Sequence, residues 1–144
     1  MQEQSLFQLS YVSTAKDGLK FEDIKSILEQ SNSKNKDLEI TGILVYCNKH
    51  FFQILEGNKQ YIEDVFNTIS ADCRHDNIIK IQESPISQRH FKSWAMAFKS
   101  YNKELKELDN FNNEQFYTYI HTQLEKNNAD ISMKILADFF DLNG

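Results

Sequence analysis

Glycine and cysteine are scarce in this chain of 144 residues, and each scarcity excludes a class of protein. None of the four glycines stands in a GxGxxG or GxxxxGK[ST] pattern, so neither familiar phosphate-binding loop is present. The two cysteines, Cys47 and Cys73, are too few for a disulfide framework or a metal site of their own. We therefore expect reduced thiols and a cytoplasmic location.

Signatures of catalysis are also missing. The four histidines are scattered, without HExxH or the Cys/His spacing of a metal site, and no GxSxG motif is present. The acidic residues lie mainly on predicted helix faces, where a solvated surface explains them. The sequence does not indicate an enzyme of a familiar class, and we expect no metal.

Charge and hydropathy limit the classes of partner that this chain is expected to bind. The formal net charge of −5 argues against a general nucleic-acid binder or a binder of anionic membranes. The first ten residues, "MQEQSLFQLS", lack the basic start and long apolar run of a signal peptide, and no stretch approaches about 18 apolar residues. With 40% hydrophobic residues, the composition suits one domain with a sizeable core.

Apolar periodicity predicts the element order β-α-β-β-α-β-β. The predicted strands cover residues 6–15, 40–46, 50–55, 77–87 and 91–100. Two stripes at helical spacing predict the helices: Phe21, Ile24, Ile27 and Leu28, then Tyr61, Ile62, Val65, Phe66 and Ile69. This split βαβ pattern predicts an α+β, ferredoxin-like sandwich with a five-stranded mixed sheet and two helices on one face.

The predicted strands are apolar on both sides, so the second face of the sheet also needs cover. Residues 113–126 and 129–142 both show the apolar stripe of an amphipathic helix. We expect these two C-terminal helices to pack on that face. The expected organisation is a domain over residues 1–100 and a C-terminal helical extension over residues 101–144.

One stretch, "FFQILEG" (51–57), carries a polar residue where an apolar one is expected. Gln53 shares a strand face with Phe51 and Leu55. A buried primary amide left without hydrogen bonds costs roughly 1–3 kcal/mol, so Gln53 requires partners.

Five motifs in fixed order complete a recognisable pattern. They are "LSYVS", "NKDLEITG", "FFQILEG", "DCRHDN" and "FKSWAMAF". Over about residues 5–100 this arrangement resembles a BLUF domain, the blue-light photoreceptor module that uses flavin. The two C-terminal helices are similar to those of the short, single-domain BLUF proteins.

The resemblance implies a role for each matching residue at the polar edge of the flavin. Tyr11 corresponds to the tyrosine that donates an electron and a proton to the excited flavin. Gln53 corresponds to the glutamine between that phenol and the flavin N5/O4 edge, and its amide ends either rotated or as the imidic tautomer. Asn35 corresponds to the asparagine at the carbonyl/N3–H side of the isoalloxazine.

Other matches concern the ring faces and the output. Ile27 and Ile69 correspond to the apolar residues that sandwich the ring. Arg74 and His75 correspond to a pair near the pyrimidine carbonyl and the ribityl side. The signal relay is implied for Trp94 and Met96 on the last strand.

The resemblance thus implies a photoreceptor that is not an enzyme. Flavin adenine dinucleotide (FAD) is the usual occupant, with flavin mononucleotide (FMN) and riboflavin as alternatives. The expected output is contact with a downstream protein partner or a change of homo-oligomer, without nucleic acid or membrane.

Taken singly, most of these residues have a structural explanation. Tyr11 and Trp94 suit a packed core, Asn35 suits a helix end, and Arg74 with His75 suits a solvated helix terminus. Two other functions stay open: a ferredoxin-like small hydrolase and a plain protein-interaction domain. Flavin absorbance would separate them from a photoreceptor.

Overall fold

The computed structural model describes residues 6–91, 95–100 and 131–143, with the backbone alone at 99 and 139–143. The strands are β1 (Leu6–Ala15), β2 (Thr41–Cys47), β3 (His50–Asn58), β4 (His75–Pro85) and β5 (Ala97–Ser100). The helices are α1 (Phe21–Asp37), α2 (Lys59–Ser70) and α3 (Ile131–Asn143). The predicted helix over 113–126 lies outside the described residues.

The five strands form one mixed sheet in the order β4-β1-β3-β2-β5. The β1/β4, β1/β3 and β2/β3 pairs are antiparallel, and β2/β5 is parallel. Strand β1 therefore lies beside β3, and their register sets Tyr11 opposite Gln53. The predicted α+β, ferredoxin-like fold class is confirmed.

Local chemistry explains the β2–β3 hairpin. Asn48 and Lys49 both have positive φ, 50° and 67°, as the two central residues of a tight primed turn require. Cys47 pairs with His50 across this turn. The two strands also approach closely at Gly42, where an added Cβ would lie 1.9 Å from the carbonyl oxygen of Ile54. The turn and this approach hold the strand that carries Gln53 in register.

The sheet is covered on both faces, as the apolar strands predict. On one face, Ile24 and Leu28 of α1 and Ile62 and Val65 of α2 join the sheet in one cluster. On the other face, Met133, Leu136 and Ala137 of α3 pack in a second cluster with strand residues, among them Ile43, Phe52 and Ile54. Strand β3 contributes to both clusters because successive side chains alternate between faces.

The last strand is shorter than predicted. A strand was expected over 91–100, but β5 begins at Ala97, and Phe91 lies outside any strand. The backbone N–H groups of His90 and Phe91 instead donate to the carboxylate of Glu56, at 2.7 and 3.0 Å. These donors are therefore not available for strand pairing.

Among the described ranges, no helix combines the length and the hydrophobicity that crossing a membrane requires. Within the same part of the chain, His, Cys, Asp and Glu form no group of three or more that could hold a metal ion.

Candidate functional site

A cavity of about 320 Å³ lies between α1, α2 and the sheet. Ile27 of α1 and Ile69 of α2 line it from the two helices, as the resemblance implies for a ring held between them. Leu44, Phe51, Leu55 and Val65 supply further apolar wall. The volume is near the lower end of the roughly 300–1,000 Å³ usual for small-molecule sites.

Three residues form a hydrogen-bonded chain at the sheet side of this cavity. The Tyr11 hydroxyl donates to Gln53 Oε1 at 2.5 Å, and Gln53 Nε2 donates to Met96 Sδ at 3.4 Å. Tyr11 and Gln53 are each only 3% exposed, and Met96 is 1% exposed. Gln53 thus uses both ends of its amide, and its position on the cavity wall leaves it in reach of a ligand.

Tyr11 is held as a neutral phenol. Burial raises its pKa above the usual value of about 10, and the negative charge of Asp72 raises it further. The ring packs at 5.5 Å from the Phe66 ring and 6.3 Å from the His75 ring, measured between centroids. A phenol in this setting keeps its proton at neutral pH unless it first loses an electron.

Asn35 lies in the last turn of α1 and is 2% exposed. Its Nδ2 donates to the carbonyl oxygen of Ala95 at 3.1 Å, so α1 is tied to the segment leading into β5. The C-cap residue of α1 is Leu38, so Asn35 does not cap the helix. Within the described part of the chain Oδ1 has no partner, and Asn35 lines the cavity. That oxygen can accept a hydrogen bond from a ligand.

Arg74 is placed at the cavity by Asp72. Its Nε lies 3.0 and 3.1 Å from the two Asp72 oxygens, and its Nη2 lies 2.6 Å from Oδ2. The same Nη2 donates to Gln30 Oε1 of α1 at 3.2 Å. Hydrogen bonds from Arg74 lower the pKa of Asp72, and those bonds in turn raise the pKa of Arg74. Arg74 Nη1 has no hydrogen-bond partner among the described residues, so it can donate to a ligand.

His75 has both ring nitrogens engaged with the protein. Nε2 lies 2.7 Å from the carbonyl oxygen of Ile69, and Nδ1 lies 2.7 Å from Ser13 Oγ. A carbonyl oxygen can only accept, so Nε2 carries a proton. In this arrangement His75 lines the cavity and holds the end of α2, and thereby Ile69, against β1.

The structure therefore brings most of the predicted site residues to one cavity. Tyr11, Ile27, Asn35, Gln53, Ile69, Arg74 and His75 line it. Met96 contacts Gln53, whereas Trp94 lies outside the described residues. Gln30 and Asp72 were missed, because an exposed helical glutamine and an acidic residue after a helix carry no distinctive pattern.

The fold and this cavity define a ferredoxin-like ligand-binding domain with a buried tyrosine–glutamine pair. A family model described as "Sensors of blue-light using FAD", BLUF, matches residues 6–97. The chain belongs to the BLUF family of flavin-using blue-light sensors.

Individual relatives agree with this assignment. Photoactivated adenylate cyclase subunit beta of Euglena longa is 30% identical over 96 residues, 66% of this chain and 11% of that protein. The blue light- and temperature-regulated antirepressor BluF of Escherichia coli (strain K12) is 33% identical over 76 residues, 53% of this chain and 19% of that protein. The chain thus spans only a small part of these relatives.

One solved structure resembles this chain in fold over nearly the full length of the solved chain. The dark-state structure of BlrB, described as a BLUF protein, has a TM-score of 0.67 and 30% sequence identity. The match covers 85% of this chain and 97% of that one.

Proposed function

We propose that this chain is a blue-light photoreceptor, not an enzyme, that binds oxidised FAD in the cavity between α1 and α2. The observation that carries the proposal is the chain of contacts from Tyr11 through Gln53 to Met96. It connects an oxidisable phenol on the cavity wall to a buried sulfur beside the last strand. An amide that only filled the core would not need to face a cavity.

The residues present fit a flavin ring. Its flat faces suit the apolar walls that Ile27 and Ile69 provide, and burial of apolar area stabilises binding by about 25 cal/mol per Å². Its polar edge needs donors and acceptors, which Asn35 Oδ1, the Gln53 amide and Arg74 Nη1 can supply. The cavity matches the ring that FAD, FMN and riboflavin share, and the matching family model specifies FAD.

A flavin excited by blue light supplies a strong oxidant at this wall of the cavity. Tyr11 would donate the electron, because its phenol is an oxidisable group on the wall of the cavity. The oxidised phenol would be strongly acidic, and its proton would move along the existing hydrogen bond to Gln53 Oε1 while the amide nitrogen releases a proton toward the polar edge of the ring. One electron and one proton would then return to Tyr11, so that the phenol is restored, the ring stays oxidised and only the amide is changed. The pair is already in contact, so no conformational search precedes this transfer.

The Gln53 amide then differs from its starting form, as a rotamer or as the imidic tautomer. Rotation would set Oε1 toward Met96, and the N–H donation to Met96 Sδ would be lost. Tautomerisation would convert the NH₂ group that now faces Met96 into the single N–H of the imidic form. Either outcome changes the contact between β3 and the segment entering β5.

The output follows from this change. We assign residues 1–100 to flavin binding and residues 101–144 to a C-terminal extension that carries the signal to a protein partner or a second copy of the chain. Trp94 and Met96 are the proposed relay. Cys47 and Cys73 are not joined in a disulfide within the described residues, which supports a cytoplasmic location, since thiols persist in reducing compartments.

Absorption spectroscopy tests the proposal directly. The purified protein should be yellow, and a brief blue flash should shift its absorption reversibly to the red without bleaching. Gln53→Leu removes both hydrogen-bonding ends of the amide and should abolish the shift while flavin stays bound. Gln60→Leu, on the exposed start of α2, is the matched control and should keep the photocycle.

Two results would contradict the proposal. A protein that stays colourless after reconstitution with flavin does not bind it. A normal photocycle in Gln53→Leu would remove Gln53 from the mechanism.

A further inference from the structure

A chain of polar side chains, buried at Ser10 and Ser132 and half-buried at Gln82, joins α3 to the sheet directly behind Tyr11. Ser10 and Ser132, both 0% exposed, lie with their hydroxyl oxygens 2.6 Å apart. Gln82 Oε1 lies 2.6 Å from Ser132 Oγ and 3.1 Å from the Ser132 backbone nitrogen. Residues 10, 82 and 132 thus meet from β1, β4 and α3.

The hydrogen bonds of this chain have one consistent direction. Gln82 Oε1 can only accept, so Ser132 donates to it, and Ser10 must then donate to Ser132. Gln82 Nε2 donates in turn to Ser84 Oγ at 3.0 Å, which fixes the orientation of the amide. The Ser132 N–H belongs to the first turn of α3, which begins at Ile131, and within the described residues its acceptor is Gln82 Oε1. Strand β4 therefore caps α3 from outside the helix.

The same point of the sheet contains an irregularity. Ser10 pairs with Gln82, but Tyr11 pairs with Lys80, so Ile81 has no partner in β1. Such a bulge bends and twists the strand pair locally. Ser10 and Tyr11 point to opposite faces, so a change in the β1 backbone at Tyr11 also moves the Ser10 hydroxyl on the α3 face.

We propose that Ser10, Gln82 and Ser132 are positioning residues that couple the state of Tyr11 to the docking of α3, so that α3 is held less tightly after illumination. The inference rests on the photochemistry proposed for Tyr11 and Gln53. The proposed coupling crosses β1 and β4 and is separate from the relay through Met96 and β5. Disturbance of Tyr11 lengthens the Ser10–Ser132 contact and thereby loosens the external cap.

A release of this kind is local. Met133, Leu136 and Ala137 keep their apolar contacts with the sheet, so the helix does not need to leave. The expected change is faster opening of its first turns. Because the coupling free energy is shared by the two sites, weakening the chain at Ser132 should change the free energy of the lit state relative to the dark state. Dark recovery starts from the lit state, so its rate should change as well.

Hydrogen–deuterium exchange of the flavin-loaded full chain tests the proposal. Amides of residues 131–138 should exchange about fivefold faster under continuous blue light than in darkness. Ser132→Ala should raise the dark rate to near the lit rate of the wild type and remove most of the difference. It should also change the dark-recovery rate of the red-shifted state by about threefold or more, which a purely structural contact would not do.

Variants separate this proposal from the photochemistry on which it rests. Gln53→Leu should show the dark exchange rate in both conditions, and Ser70→Ala, on the exposed end of α2, should behave as the wild type. Should Ser132→Ala fail to fold, Ser10→Ala breaks the same chain from β1.

The possible results distinguish failure of the coupling from failure of the proposed photoreceptor function. A normal red shift with equal exchange of α3 in light and darkness overturns the coupling and leaves the photoreceptor intact. An unchanged light-minus-dark difference and recovery rate in Ser132→Ala, or in Ser10→Ala, overturns it as well. Absence of the red shift in the wild type refutes the proposed function itself.

Discussion

At the residue scale, β3 carries two buried polar side chains that face opposite sides of the sheet. Gln53 lies on the cavity side and bonds to Tyr11 and Met96 without adding charge. Glu56 lies on the other side, is 0% exposed, and accepts from the backbone of His90 and Phe91. Glu56 thereby fastens the segment that leads toward Met96.

Glu56 predicts a specific pH dependence of stability. Burial raises its pKa to about 7, although bonds from His90, Phe91 and Thr41 and the charge of Arg89 oppose the shift. Between pH 4.5 and 7, the folded state therefore binds more protons at Glu56 than the unfolded state does. Its stabilising contribution is complete below this window and is lost as the pH rises through it.

Glu56→Gln does not titrate and makes this effect measurable. The free energy of unfolding of the wild type minus that of the variant should fall by at most about 3 kcal/mol across the window. Urea denaturation at several pH values gives the difference. A difference that rises with pH would contradict the raised pKa.

At the scale of elements, the junction of β3 and α2 matters most for the cavity. Asn58 is both the last residue of β3 and the N-cap of α2, so no loop separates them. Its Oδ1 accepts from the backbone N–H groups of Gln60 at 2.9 Å and Tyr61 at 3.3 Å. This cap sets the direction in which α2 leaves the sheet, and with it the position of Ile69 over the cavity.

Asn58→Ala removes the cap and should lower the free energy of unfolding by about 1 kcal/mol, within a range of roughly 0.5–2 kcal/mol. Denaturant titration measures the loss. Asn58→Asp keeps an equivalent acceptor and should stay near the wild-type value. If alanine and aspartate were equally stable, the cap would not stabilise α2.

At the scale of the whole molecule, the cavity is assembled from α1, α2 and the four strands β1 to β4, from Tyr11 to His75 along the chain. A ligand bound there contacts all of these elements and no such surface exists in the unfolded chain. Binding should therefore stabilise the fold as a unit.

Thermal unfolding tests this prediction. FAD at about one hundred times its Kd should add about 2.7 kcal/mol and raise Tm by roughly 5–10 °C. Riboflavin at equal saturation should act similarly, because the contacts proposed above are all to the ring that it shares with FAD. Adenosine diphosphate should have little effect, and an equal shift with it would place recognition outside the ring.

Much of the fold was predictable because apolar periodicity is a local property. The first strand was predicted at 6–15, where β1 lies, and the two helical stripes became the buried faces of α1 and α2. That Phe91 lies outside any strand was not predictable, because Glu56, more than thirty residues earlier in the chain, takes the N–H groups of His90 and Phe91. Apolar periodicity depends on residues a few positions apart, so it does not indicate a hydrogen-bond acceptor this distant in the chain.

The sequence by itself determined the element order, the two-sided sheet and, through its five motifs, the family to which the chain belongs. Only the tertiary structure decided which polar groups meet. It paired Arg74 with Asp72, engaged both nitrogens of His75, and directed Gln53 toward Tyr11 and Met96. It also joined Ser10 to Ser132, which are 122 positions apart. The reason is physical: burial follows from patterns within a few residues, whereas a hydrogen bond depends on distances set by the order and register of the whole sheet.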